Sequence, residues 1–307
     1  MWVVVELSRR IMAICSLSLS LFASVLWVNR SYVGAFFGNS IGAPPIEETT
    51  AHTEPEGDVV VRLAVAGDVG TGDAAAYKTA AVMDRLDQQR DFDALLLLGD
   101  NIYENGDPAD VVSKVFEPFD PVLDRETQLL AVLGNHDVDD GFGPAQAKAL
   151  GMANAWYSTS IEDVTIVALD SNQADNPDQL AWLRATLSAV DTTWTIAIMH
   201  HPAYSAGWHG SDAKVQKHFA PLFAEFDVDL ALSGHDHDYQ RNNPIDGVTY
   251  VVTGAAAKLR PAGSETFTAV SWSTPSFVDL AVYEDRIELQ AVDHSGRSID
   301  VFELSAQ

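Results

Sequence analysis

Five apolar runs along this chain each stop at a short polar group that carries glycine or histidine. The groups are AGDVG from Ala66, LGDNIY from Leu98, LGNHD from Leu133, MHHP from Met199 and SGHDHDY from Ser233. Short apolar runs bounded in this way read as strands buried on both faces. The stretches between them carry helical patterning, so the chain alternates strand, loop and helix, which is the signature of the α/β class. One helix is predicted from after Gly72 to about Arg90, and another opens at the Asp107-Pro108 cap pair. A third opens at Asn176-Pro177, with Leu180, Leu183, Leu187 and Val190 on one face as candidate core, and a fourth falls within 211–226. Further strands are expected near 156–161 and 164–170. Beyond Val248 the pattern turns strand-rich, in VTYVVTG, SFVDLAVY, RIELQAVD and SIDVFEL, and no internal repeat is present.

Charge and cysteine content narrow the chemistry. A net charge of −26 and a pI near 4.4 set the surface against a phosphate backbone, so no nucleic acid partner is expected. A single cysteine excludes an intramolecular disulfide framework and any zinc site built on several thiolates. A metal would have to be held by Asp, Asn, Glu, His or Tyr, and nine histidines are available. Ahead of the α/β pattern, Ile11 to Val28 carries no charge and follows Arg9 and Arg10, which predicts a signal anchor or signal peptide over 1–30. If uncleaved, it would hold the protein to a membrane with the remainder outside the cytoplasm. Residues 31–58 are expected to be a flexible acidic linker, because Ser40–Asp58 holds three prolines and five acidic residues without a basic one. The folded domain is expected over 59–307.

In open α/β sheets, ligands sit beyond the carboxyl ends of strands. Five such ends side by side would gather Asp68, Asp100, Tyr103, Asn135, His136, His200, His235 and His237 in one crevice. All are oxygen or imidazole donors, suited to hard or borderline cations. Singly, each has a plain structural reading: helix cap for Asp68 and Asp100, turn for Asn135-His136, packing for Tyr103, hydrogen-bonded core for His200 or His201. The His-x-His at 235 and 237 would place both imidazoles on one side of an extended segment. Their joint occurrence in order, always at a strand end, argues for a metal site.

The series AGD-x-G, GD-x-x-Y, GNHD, H-x-P and GH-x-H resembles the calcineurin-like metallophosphoesterases, and in particular their purple acid phosphatase branch, over about 65–240. The wider superfamily has a histidine where this chain has Gly70. The branch places a tyrosine three residues after the second aspartate, and Tyr103 stands there. The resemblance implies a four-layer α/β/β/α sandwich in compact single-domain form with two adjacent metals. Asp68, Tyr103 and His237 would hold the first, Fe(III). Asn135, His200 and His235 would hold the second, a divalent Fe, Zn or Mn, and Asp100 would bridge both. It further implies hydrolysis of small phosphate monoesters, with His136 contacting the phosphate and His209 near the leaving group. A phosphodiesterase of the same superfamily and a non-catalytic metal-binding module are the alternatives.

Overall fold

The computed structural model describes residues 49–306, all within the compact unit that begins at Pro44. The apolar segment 11–28, and with it the expected anchor or signal peptide, lies outside the described residues. Among those described, no helix is long and apolar enough to cross a membrane.

Two mixed seven-stranded sheets form the centre. In the first, β2 (Val61–Ala66), β3 (Ala94–Leu98) and β4 (Gln128–Val132) run parallel. Beside β2 lies an antiparallel meander of β12 (Ser276–Val282), β13 (Arg286–Asp293) and β14 (Arg297–Ser305). In the second sheet, β6 (Val164–Ala168), β7 (Trp194–Ile198), β8 (Leu230–Ser233) and β10 (Thr249–Thr253) are parallel. The hairpin strand β5 (Tyr157–Ile161) closes one edge, and β9 (Tyr239–Asn242) and β11 (Thr268–Trp272) close the other.

Why the central strands are apolar throughout follows from the layering. Alternate residues of β2 and β3, namely Val61, Leu63, Val65, Leu96 and Leu98, meet Ile196, Ile198, Leu230 and Leu232 of the other sheet. The intervening Ala64, Ala66, Leu95 and Leu97 face outward and are covered by Val82, Met83 and Leu86 of helix α1 (Ala74–Asp87) and by Phe119 and Val122 of α2 (Glu117–Leu123). The outer face of the second sheet packs Val167 and Ala197 on Leu183 and Leu187 of α5 (Pro177–Leu187), and on Val215, Phe219 and Phe223 around α6 (Ala213–His218) and α7 (Ala220–Glu225). A strand with a hydrophobic partner on each side has no solvent face to mark with polar residues. The layers are therefore helix, sheet, sheet, helix.

Three expectations shift. The segment expected to be flexible up to Asp58 is already packed from Thr50: Thr50–Ala51 forms β1 on β14, and His52 Nε2 lies 2.8 Å from Asp279 Oδ2. The run 129–137 is strand only to Val132, and Asn135–Val138 turns into the short helix α3. The run 228–239 is strand leading into a loop, as its pattern predicts: β8 stops at Ser233, and residues 234–238 form the loop before β9. Helix α5 ends at Leu187, so Val190 lies beyond it. The remaining helix, α4 (Gly143–Ala149), starts on a proline at its second position.

Candidate metal centre

The motif-bearing strand ends belong to both sheets and meet across the sandwich, so the crevice is not the edge of a single sheet. Gly67 N–H donates to Thr253 O at 2.8 Å, tying β2 to β10, and Gly234 N–H donates to His200 O at 3.0 Å. A side chain on Gly67 would begin 2.9 Å from Gly234 Cα, so the two backbones touch only because neither carries one. Immediately beyond this contact, Asp68, Asp100 and His235 take positive φ angles of 61°, 50° and 70°. Left-handed backbone at non-glycine residues costs energy and clusters at functional sites.

Seven residues converge there in two abutting groups. In the first, Tyr103 Oη lies 2.9 Å from Asp68 Oδ1 and 3.2 Å from His237 Nε2, and His237 Nε2 is 3.4 Å from Asp68 Oδ1. In the second, His200 Nε2 lies 3.1 Å from Asn135 Oδ1 and 3.2 Å from His235 Nδ1. Asp100 stands between them. It clusters with Asp68 and His237, with the ligand atoms all within 4.8 Å of one another, and its Oδ1 is 3.5 Å from His200 Nε2. His200 Nδ1 donates to Leu98 O at 2.8 Å, which leaves Nε2 as the lone-pair nitrogen facing the cluster.

His235 and His237 do not share one side of an extended segment, as the spacing suggested. Positive φ at His235 turns its ring to His200, while its N–H donates to Asp68 Oδ2 at 2.8 Å. One histidine therefore serves each group.

The donor set fits cations. Asp68 and Asp100 are buried, and among the described residues neither pairs with Lys or Arg; their ion-pair partners are His237 and His200. Burial, with the Asp100 charge next, pushes the Asp68 carboxyl well above the usual range. The Tyr103 hydroxyl is raised by burial and by the charge of Asp68. Burial lowers His200 strongly, takes His235 down to about 2, with His200 the next cause, and takes His237 to about 4, with Arg260 the next cause. Two buried carboxyl groups without Lys or Arg partners, beside imidazoles held neutral, form an arrangement that cations would stabilise. Asp, Tyr and His on one side suit a harder ion than the Asn and two His on the other.

His136 and His209 flank the cluster. The His136 ring is edge-on to Tyr103 at 4.8 Å between centroids, and the His136 backbone N–H donates to Asp100 Oδ1 at 3.0 Å. The His209 ring lies 4.4 Å from that of His235. The Asp236 carboxylate accepts from His209 N–H at 2.7 Å, Gly210 N–H at 3.2 Å and Ser205 Oγ. The Asp238 carboxylate accepts from Gln240 Nε2 at 2.9 Å.

Other participants were not singled out from the sequence. Asp137 accepts from Asn101, Ile102, Gly134 and Gln146, joining the loops after β3 and β4. His201 joins His200 and His235 in a three-histidine cluster, with Nδ1 2.8 Å from Ser171 Oγ. Lys258 and Arg260 reach the first group from the β10–β11 loop. Lys258 Nζ sits 3.5 Å from the Tyr103 ring centre, and Arg260 Nε lies 3.4 Å from His237 Nδ1. The HH dipeptide was a visible signal for His201; the two cations lie far from every motif and had none.

Residues 61–239 match the calcineurin-like phosphoesterase family, and the chain belongs to it. Within that family its relatives include purple acid phosphatases. It is 29% identical over 215 residues to purple acid phosphatase 21 of Arabidopsis thaliana, covering 62% of this chain and 47% of that one, so it spans about half that relative's length. It is 29% identical over 245 residues to human tartrate-resistant acid phosphatase type 5, covering 66% of this chain and 74% of the other. Purple acid phosphatase PPD1 from yellow lupin shares the fold with a TM-score of 0.67 at 20% identity, over 83% of this chain and 55% of that one. GAP50, described as the anchor in the inner membrane complex of Plasmodium, does so with a TM-score of 0.72 at 16% identity, over 81% and 90%.

Proposed function

We propose that this chain hydrolyses phosphate monoesters at a two-metal centre, as an acid phosphatase acting outside the cytoplasm. The observation that carries the reading is the pair of abutting ligand groups with Asp100 between them. Asp68, Tyr103 and His237 would hold an Fe(III), and Asn135, His200 and His235 a divalent Fe, Zn or Mn, with Asp100 shared. When bound, the pair would supply Lewis acidity toward the phosphoryl oxygens and a water acidic enough to attack in line. The purple acid phosphatase relatives support the activity, and Arg9 and Arg10 ahead of the apolar segment 11–28 support export or anchoring.

The chain's own residues complete the chemistry. His136 Nδ1 is engaged by the Glu104 carbonyl, so its other nitrogen is the one left for a phosphoryl oxygen. His209, exposed beside His235, is placed to protonate the leaving alkoxide. Burial draws its imidazole below the ordinary value, so the proton-donating form belongs to acidic pH.

The test is the visible absorption spectrum of the oxidised, iron-loaded protein beside Tyr103→Phe, with turnover of an aryl monoester and its diester. A purple band lost in the variant, with monoester preferred, is expected. A colourless active protein would remove iron from the first site. Preference for the diester would overturn the monoesterase reading, and failure on both esters would overturn catalysis.

A further inference from the structure

We infer that Trp208 and Arg260 form a platform beside the metal centre that takes a planar leaving group, so that aryl and nucleoside phosphates are favoured over aliphatic ones. The inference deepens the phosphatase reading and rests on it.

Trp208 is 61% exposed, whereas the core tryptophan Trp194 is 1% exposed. Exposed large apolar side chains are few among the described residues, and Trp208 and Leu259 are two of the five. Tryptophan, with an apolar ring and a polar N–H, is enriched where one end of a side chain meets a partner and the other stays wet. Trp208 directly precedes His209, so the backbone hydrogen bonds from His209 and Gly210 to Asp236 fix its root.

Arg260 connects this indole to the centre. Its guanidinium carbon lies 5.7 Å from the Trp208 ring centre, its Nε 3.4 Å from His237 Nδ1, and its N–H donates to His237 O at 2.9 Å. The loop is held in place: Ser273 Oγ donates to Arg260 O at 2.7 Å, and Gly263 is pressed so closely on Ala206 that no side chain would fit there. The neighbouring cation Lys258 is engaged, with Glu104 Oε1 3.3 Å away. Arg260 has no carboxylate among the ion pairs of the described residues. In a chain with net charge −26, a guanidinium without a carboxylate partner, between a candidate metal ligand and an exposed indole, makes one place that favours both negative charge and a flat π-face. A phosphate ester of a planar alcohol presents both.

The test uses the full, metal-loaded chain and compares kcat/KM for adenosine 5′-monophosphate, phenyl phosphate and glycerol 2-phosphate. The planar esters should be preferred. Trp208→Ala should reduce that preference about tenfold, in line with base–aromatic stacking, and Trp208→Phe should restore most of it. A preference that falls for the nucleotide alone assigns the platform to nucleosides, and one that falls for both planar esters assigns it to aromatic alcohols generally. Adenosine, with no phosphate to react, should quench tryptophan fluorescence in the wild type and less in Trp208→Phe. A preference unchanged in Trp208→Ala overturns the platform and leaves the phosphatase intact. A wild type that cleaves none of the three overturns the phosphatase reading, and absence of quenching by adenosine then overturns the platform as well.

Discussion

Replacing Asp279 with alanine should cost the fold about 3–5 kcal/mol, the usual penalty for stranding one partner of a buried ion pair. Arg62 on β2 and Asp279 on β12 are both about 1% exposed and meet as a fork, Nε to Oδ1 at 3.0 Å and Nη2 to Oδ2 at 2.7 Å. Phe92 lies under the guanidinium, whose carbon is 4.4 Å from the ring centre, and His52 closes the carboxylate from the other side. Because Ala64 pairs with Asp279 and Ala281 with Arg62, the fork is a diagonal lock on strand register, and β2 leads directly to Asp68. Urea unfolding should therefore show the loss in Asp279→Ala, with a fall in Tm on the order of 10 °C for a domain of this size. Arg62→Lys, which keeps the charge without the fork, should also lose stability. The double variant Arg62→Met/Asp279→Leu should be more stable than Asp279→Ala, since it removes the stranded guanidinium and leaves only the partly exposed Glu54, 3.5 Å from Arg62, without that partner. Burial alone would raise the Asp279 pKa, but the hydrogen bonds and charges of His52 and Arg62 hold it below the ordinary 3.8. The pair's contribution is thus complete above that value and is lost as pH falls through the lowered one, so the gap between wild type and Asp279→Asn should close in strong acid. A double variant as unstable as the single, or an Asp279→Ala within 1 kcal/mol of wild type, would refute the reasoning.

Three further outcomes follow from the site. Gly70→Ala would put its methyl 2.3 Å from the Asn101 carbonyl carbon. The Tyr103 loop must then move, and the expected cost is about 1–3 kcal/mol together with a weakened visible band; a normal spectrum and Tm would contradict it. His209→Ala should lower turnover of alkyl phosphates more than of activated aryl phosphates, and Asp236→Ala should follow it in part by freeing the His209 backbone; equal loss on both ester types would remove the acid role. Added salt should raise kcat/KM for anionic substrates by screening the acidic surface, and a steep fall in stopped-flow or steady-state rates with ionic strength would count against that.

The α/β class, the positions of the central strands and the seven converging motif residues were legible in the chain. Strands sandwiched between two apolar layers must be apolar throughout, and a polar, glycine-bearing group after each one has few places to go but a strand end. The cap pairs Asp107-Pro108 and Asn176-Pro177 were equally local, and their side chains do accept from the following turns. What lay beyond the sequence is whatever depends on two distant segments meeting. The five ends belong to two sheets rather than one. His235 and His237 part company because a carboxylate from β2's end captures one backbone N–H. Residues 50–55 look like linker by composition, yet they pack because Asp279 and Gln290, on strands far along the chain, offer partners to His52 and Thr53. Arg260 and Lys258 stand at the centre for the same reason. Local pattern reports how a segment meets its own neighbours, whereas tertiary contact alone decides which side chains from remote loops share one small volume.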